Sequence, residues 1–271
     1  MIRISNNNKC KVVILAGGLG TRLREETEFK PKPMVEIGSV PIIFHIMKNF
    51  IEIGFDEFII AAGYKGNVIK NFFSNLEINL HNIKIEGFDN DKKIFTVNDL
   101  SDKRSMLKNL KVTVIDTGNE TPTGGRINKL KPYLNSEKFI CTYGDGLSNV
   151  NPSNLINFHN AHKKIASVTA VKVRNRFGLL ELNENNEVID FKEKPIMNDW
   201  VNGGFFVFEP EIFDYLNDNI TLEQNVIEEL VKNNQISAFK HNGFWFAMDT
   251  YREFLELNKM WDEGNRPWVL S

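Results

Sequence analysis

Cysteine is scarce in this chain: only Cys10 and Cys141 occur in 271 residues, far apart in sequence. A disulfide-stapled scaffold is thereby excluded, and with no Cys/His cluster at zinc-ligand spacing so is a structural zinc site. Cys141 lies in an apolar run and reads as a reduced core residue. An excess of charge of one sign is lacking too, the formal net charge being −2. Without a basic surplus, neither nucleic acid nor an anionic membrane is expected as a partner. No hydrophobic run approaches a bilayer span, and Met1 to Lys11 is polar and asparagine-rich, unlike a signal peptide, which predicts a cytoplasmic location. Internal repeats and low-complexity linkers are also missing, and the length suffices for one sizeable core.

The most informative stretch runs from Val12 to Leu23. Five apolar residues, Val12-Val13-Ile14-Leu15-Ala16, suit a central parallel strand covered on both faces. They run into Gly17-Gly18-Leu19-Gly20-Thr21-Arg22, where three glycines free the backbone for φ > 0 and let its N–H groups approach an anion. Arg22 and Lys32, the latter within Lys30-Pro31-Lys32-Pro33-Met34, add fixed positive charge to the same lip. This pattern predicts a phosphate site, yet it is neither of two common ones. A P-loop requires a lysine directly after its last glycine, followed by Ser or Thr, and Gly20-Thr21-Arg22 has neither. The dinucleotide fingerprint fails because Leu23 stands where its third glycine belongs.

Strands are predicted over 11–16, 57–62, 111–115, 138–142 and 166–173, with helical spacing from Pro41 to Ile53 and from Asn67 to Leu76. That alternation predicts an α/β fold, a Rossmann-like and mostly parallel sheet with helices on both faces, binding at the strands' carboxyl ends. The polar segment 79–110, with Asp89-Asn90-Asp91-Lys92-Lys93, breaks the rhythm and reads as an insertion. Beyond residue 205 the pattern turns helical, with helices expected from Thr221 to Lys232 and from Thr250 to Asp262. The expected organisation is a flexible lead over 1–10 and a single domain over 11–271, with a helical C-terminal extension over 206–271.

Asp145 follows the strand Phe139 to Tyr143 between Gly144 and Gly146, a position that suits either a turn aspartate or a carboxylate offered to a cation in the crevice. Asp249, in Ala247-Met248-Asp249-Thr250, reads either as a helix-start acid or as a second such ligand. Lys194, beside Pro195, suits a solvated lysine or a point charge for phosphate. Glu193 and Asn202 have the paired acceptors and donors that match vicinal hydroxyls. His159 and His162, spaced i and i+3 without an accompanying acid or cysteine, read as helix-surface residues.

Ordered motifs along nearly the whole chain carry a resemblance. They are Gly17 to Arg22, Lys30 to Gly38, Gly63-Tyr64-Lys65-Gly66, Asp116-Thr117-Gly118 and Thr123-Gly124-Gly125-Arg126. They continue with Thr142 to Gly146, Glu193-Lys194-Pro195, Asn202 to Phe206 and Met248-Asp249-Thr250. With them the chain resembles the sugar-nucleotidyltransferase family, and within it the cytidylyltransferases. The resemblance implies CTP and a sugar 1-phosphate, first of all glucose 1-phosphate, as substrates, Mg²⁺ as cofactor and a homo-oligomer in which an insertion like 79–110 helps subunits meet. It implies nucleotide binding by Leu15, Ala16, Gly17, Gly18, Gly20, Thr21, Arg22, Lys32, Thr123, Gly125, Arg126 and Asp145. Leu15 and Gly17 would read the base edge, and Arg126 would lie close to the pyrimidine or its phosphates. Sugar phosphate falls to Tyr143, Gly178, Glu193, Lys194 and Asn202, the metal to Asp145 and Asp249, and catalysis to Arg22, Lys32 and Asp145. One departure stands out: Phe246-Ala247 precede Met248 where the family usually has Lys-Pro or Gln-Pro, which bears on the acceptor side. Two other classes share an α/β fold. A nucleotide-sugar sensor could dispense with the acid pair and the lysines, and a nicotinamide-dependent oxidoreductase would need the missing third glycine.

Overall fold

The computed structural model describes residues 10–79, 83–89, 92–97, 110–134 and 136–270. The chain opens with β1 (Lys11–Ala16), the short α1 (Arg24–Thr27), and the small antiparallel pair β2 (Glu36–Ile37) and β3 (Val40–Pro41). Then come α2 (Ile42–Glu52), β4 (Glu57–Ala62), α3 (Gly66–Asn79), β5 (Ile83–Asp89), β6 (Lys92–Val97) and β7 (Leu110–Asp116). The middle third holds α4 (Thr123–Lys129), β8 (Phe139–Tyr143), β9 (Gly146–Ser148), α5 (Pro152–His162) and β10 (Ala166–Val171). The remainder holds β11 (Leu179–Leu182), β12 (Val188–Lys192), β13 (Val201–Phe208), α6 (Ile227–Lys232), β14 (Ile236–His241), β15 (Trp245–Ala247) and α7 (Tyr251–Asp262).

Nine strands form one sheet in the order β14-β10-β13-β8-β1-β4-β7-β6-β5. All but β13 and β6 run the same way, so the sheet is mostly parallel. β1 lies at its centre because its apolar residues alternate between two separate cores. Val12, Ile14 and Ala16 join the cluster of Phe50 from α2 and Phe73 from α3, while Val13 and Leu15 join Ile127 of α4 and Leu230 of α6. Helices therefore cover both faces, as two-sided burial of a parallel strand requires. Local chemistry sets several boundaries. Asn151 caps α5 by accepting from the N–H groups of Ser153 and Asn154, with Pro152 at the first helical position. Thr250 and Glu253 form a capping box at the start of α7.

The expected strands over 11–16 and 57–62 match β1 and β4 residue for residue, and those expected at 111–115, 138–142 and 166–173 fall on β7, β8 and β10. The insertion contributes more order than its polarity suggests, since β5 and β6 form a hairpin that pairs onto β7 and extends the sheet. Residues 80–82, 90–91 and 98–109 of that insertion, like residues 1–9 of the lead, lie outside the described residues. Cys10, the last residue of the expected lead, is buried against the core. The C-terminal extension is helical in α6 and α7, and it also supplies β14 to the sheet edge, parallel to β10, and β15, which pairs with β9. The helix expected from Thr221 begins with a π-helical turn over Leu222–Val226 before α6. Among the described residues no helix is long and apolar enough to cross a membrane.

Candidate functional site at the carboxyl ends of the strands

Parallel pairing brings the ends of β1, β4, β7 and β8 to one edge: Ala16 lies beside Ala62, Ala62 beside Asp116, and Leu15 beside Tyr143. The glycine-rich turn leaves β1 there. Gly20 has φ of 65°, the left-handed region that only glycine enters without cost, and this turns the chain into the short 3₁₀ segment Thr21–Leu23. Gly18 is exposed, and a Cβ on it would meet nothing within 4 Å. Gly17 is glycine for another reason. A Cβ there would stand 2.0 Å from the Nη1 of Arg126.

Arg126 is 4 % exposed and spends its guanidinium on the strand ends. Its Nη1 donates to Thr117 Oγ1 and Gly118 O, each at 2.7 Å, and its Nη2 to Gly17 O at 2.9 Å. Burial lowers its pKa and the charge of Asp116 raises it, with a net downward shift. The side chain still lines the cavity, but as the pin that joins the glycine turn to the Thr117–Asn119 loop.

Asp145 and Asp249, about a hundred residues apart, meet because β9 pairs with β15. Gly146 lies opposite Ala247, and Met248 N donates to Asp145 O at 2.9 Å. Gly144 is held just as tightly, since a Cβ on it would sit 2.9 Å from Pro33 and 3.0 Å from Leu15 O. Lys32 Nζ lies between the two carboxylates, 2.7 Å from Asp145 Oδ2 and 2.5 Å from Asp249 Oδ1, while Arg22 Nη1 is 3.3 Å from Asp249 Oδ2. Burial pulls the Lys32 pKa down, but the charges and hydrogen bonds of Asp145 and Asp249 outweigh it and the net shift is upward. For Asp249, burial acts upward and is overcome by Lys32, with Arg22 and Arg176 assisting, so its pKa falls below the usual carboxylate value. Two carboxylates that converge on a single cation form a hard-oxygen pair, the donor set Mg²⁺ prefers when water and phosphate complete its octahedron. Among the described residues no group of three or more His, Cys, Asp or Glu is placed to hold a metal ion.

These groups surround a cavity of about 330 Å³ lined by Leu15 to Gly18, Gly20 to Arg22, Lys32, Pro33, Thr121 to Thr123, Arg126, Tyr143 to Asp145 and Asp249. Of the residues expected at the nucleotide, Gly125 alone is not in its lining. Its N–H donates to Ile220 O at 3.1 Å and a Cβ would stand 2.2 Å from Asp218 O, so it serves the close packing of α4. On the sugar side, Tyr143 is in the lining, whereas Gly178, Glu193, Lys194 and Asn202 are not. Lys194 pairs with Glu193 at 3.0 Å, both beside the exposed hairpin β11–β12, and Asn202 Oδ1 accepts from Gly204 N. A more open depression of about 470 Å³ is lined by Asp214, Gln224, Glu229 and Lys232 and shares none of the residues expected at the nucleotide or the sugar phosphate.

Sequence reasoning missed Glu223. Its carboxylate accepts from Thr123 Oγ1 at 2.7 Å and from the Tyr143 hydroxyl, and no local motif signals a contact across this separation. Glu253, by contrast, was available from the Thr250-x-x-Glu253 spacing: its Oε2 accepts from Asp249 N and Thr250 N, and its Oε1 pairs with Arg176 at 3.1 Å. The histidine expectation needs correction for His159, which is 1 % exposed. Its ring lies 2.9 Å from Ser167 Oγ and 3.1 Å from Glu209 Oε1, because the inward face of α5 packs on β10. Phe246 pairs with Leu147 and stacks on Phe244, so the departure at 246–247 lies within β15 itself.

A glycine-rich turn, a half-buried lysine and an acid pair at the carboxyl edge of a mostly parallel sheet define an α/β protein built like the doubly wound nucleotide-binding folds. The chain belongs to the nucleotidyl transferase family, whose sequence profile matches residues 11–263. It is 41% identical over 261 residues to the glucose-1-phosphate cytidylyltransferase of Salmonella typhi, covering 95% of this chain and 98% of that protein. Among solved structures, HddC from Yersinia pseudotuberculosis shares the fold with a TM-score of 0.64 at 24% identity, covering 93% of this chain and 99% of that one. A UDP-glucose pyrophosphorylase complexed with UDP-glucose superposes with a TM-score of 0.66 at 18% identity, over 94% and 99% of the two chains.

Proposed function

We propose that this protein transfers a cytidylyl group from CTP to a sugar 1-phosphate, foremost glucose 1-phosphate, and releases pyrophosphate. The observation that carries the reading is the Lys32–Asp145–Asp249 cluster facing the glycine-rich turn, in a chain 41% identical to a glucose-1-phosphate cytidylyltransferase. An ionised phosphate oxygen of the sugar 1-phosphate attacks the α-phosphorus in line. The bond to the β-phosphate bridging oxygen breaks, and pyrophosphate leaves with the electron pair. No proton has to move, so the protein supplies position and charge rather than acid–base groups. The N–H groups from Gly18 to Thr21 and the exposed Arg22 guanidinium receive the leaving pyrophosphate. Lys32 serves the α-phosphate, Lys194 the attacking phosphate, and Glu193 and Asn202 the sugar hydroxyls. Backbone groups of Leu15 and Gly17 face the base, held in register by Arg126. Asp145 and Asp249 would hold Mg²⁺, which would supply charge neutralisation at the reacting phosphates.

A second copy of the chain belongs to this reading. In β11–β12, Leu180 pairs with Phe191 and Leu182 with Val188, so four exposed apolar side chains share one face beside Glu193 and Lys194. Pyrophosphate release measured with glucose 1-phosphate and each of the four common nucleoside triphosphates, and with dTTP, tests the proposal. CTP should give the highest kcat/KM, with UTP next. A faster purine nucleotide or dTTP would overturn the choice of base, and release without sugar phosphate, or none at all, would overturn the reaction.

A further inference from the structure

We propose that Glu223 is a specificity-determining residue that fixes the polarity of the Thr123 hydroxyl, so that the nucleotide cavity selects a pyrimidine with an amino group at ring position 4 over one with a carbonyl. The inference rests on the nucleotide reading above and deepens it.

Thr123 Oγ1 has one proton and two lone pairs. The proton goes to Glu223 Oε2 at 2.7 Å, and one lone pair accepts from Leu222 N at 2.9 Å. Glu223 Oε1 accepts the Tyr143 hydroxyl proton, and a carboxylate has none to return, so both directions are fixed. Thr123 lines the cavity alongside Thr121, Pro122 and Arg126, and Arg126 is tied to Gly17 at the end of β1. The Lys32–Asp145–Asp249 cluster, assigned above to the phosphates, lines the same cavity and shares no hydrogen bond with Thr123. What Thr123 offers the cavity is therefore a lone pair only. A cytosine amino group donates to it. The carbonyl of uracil or thymine would set acceptor against acceptor, and the lost pairing is the kind that discriminates strongly in a site enclosed by protein.

The carboxylate is itself immobilised. Gly124 and Gly125 leave no side chain between α4 and the 218–222 backbone, and Gly125 N donates to Ile220 O, which holds the π-helical turn carrying Glu223 against α4. Tyr143, its other partner, packs edge-on against Phe206. Glu223 is thus a positioning residue that acts through Thr123.

The test is the ratio of kcat/KM for CTP to that for UTP, with glucose 1-phosphate as acceptor. Glu223→Gln introduces an amide N–H that can donate to Thr123 Oγ1 and release its proton toward the cavity, so the ratio should fall about tenfold or more. Thr123→Val keeps the shape and removes the acceptor, and should lower the ratio similarly. It also decides the matter if a thermal melt shows that Glu223→Gln does not fold. Tyr143→Phe loses the other hydroxyl of the carboxylate and should leave the ratio within about twofold while changing the KM for the sugar phosphate. Unchanged ratios in both Glu223→Gln and Thr123→Val overturn this inference alone. Wild-type protein that transfers no nucleotide, or prefers UTP, overturns the inference together with the reading beneath it.

Discussion

Two aspartates illustrate how much a single side chain can depend on its partner. Asp145 and Asp249 each lie within 2.7 Å of the same ammonium group, so neither acts independently. Replacing either by Asn should cost on the order of a hundredfold in turnover, since the pair would then hold less firmly the cation that neutralises charge where the transition state gathers it. The double substitution should be scarcely worse than the poorer single one. Pyrophosphate release against Mg²⁺ concentration measures this, and multiplicative losses would refute a shared site. The glycines of the turn differ in the same testable way. Gly18→Ala should melt like wild type and lose nucleotide affinity in calorimetry, because its Cβ enters open space on the ligand side. Gly17→Ala should unfold at lower temperature, because its Cβ collides with the buried Arg126. Asp145 was legible from a strand followed by Gly-Asp-Gly; its pairing with Asp249 came from the family resemblance and from no local pattern, for the two meet only where β9 pairs with β15.

At the scale of elements, α4 shows a sequence motif serving packing. Gly125→Ala would push a Cβ to 2.2 Å from Asp218 O, and overpacking of this kind costs about 3 kcal/mol. Denaturant unfolding should report a reduced midpoint, and an unchanged one would mean that the 218–222 segment yields. Gly125 of Thr123-Gly124-Gly125-Arg126 was placed at the nucleotide by the family resemblance; the use of Gly124 and Gly125 against Ile220 and Asp218 depends on a contact that no local pattern encodes. Where burial and period coincide, as in β1 and β4, the elements were legible to the residue. The hairpin β5–β6 was not, since polar residues suit an edge of a sheet as well as a loop.

The whole molecule carries its pH response in buried histidines. Burial lowers the pKa of His159 against the opposing pull of Glu209, and burial lowers that of His45 against its contact with Ile37 O. A folded value below the unfolded one means that the native state binds fewer protons, so this stability is present above about pH 6.5 and is lost as pH falls through the folded values. Denaturant midpoints should decline from pH 7.5 to 5, and His45→Gln should flatten part of that slope; a flat wild-type profile would refute the assignment. The proposed pairing of two copies is tested at this scale too. Leu180→Asp with Phe191→Asp should shift the mass by light scattering to that of a single chain, because the apolar face of β11–β12 would carry charge. A wild type already monomeric would remove the role given to that hairpin.

The sequence by itself determined the elements whose cause is local: the buried strand β1, the glycine turn that ends it, the capping box of α7, and the order of motifs that identifies the family. Hydrophobic period, glycine's access to positive φ and side-chain capping all act within a few residues, so a linear reading captures them. Tertiary structure alone decided which of those residues meet. Lys32 between two aspartates, Arg126 buried under Gly17, His159 turned inward and Glu223 bridging Thr123 to Tyr143 all depend on sheet order and on the β9–β15 pairing. Charge and hydrogen bonding act through space over a few ångströms, and the chain separations they span here, up to 217 positions between Lys32 and Asp249, leave no periodic trace.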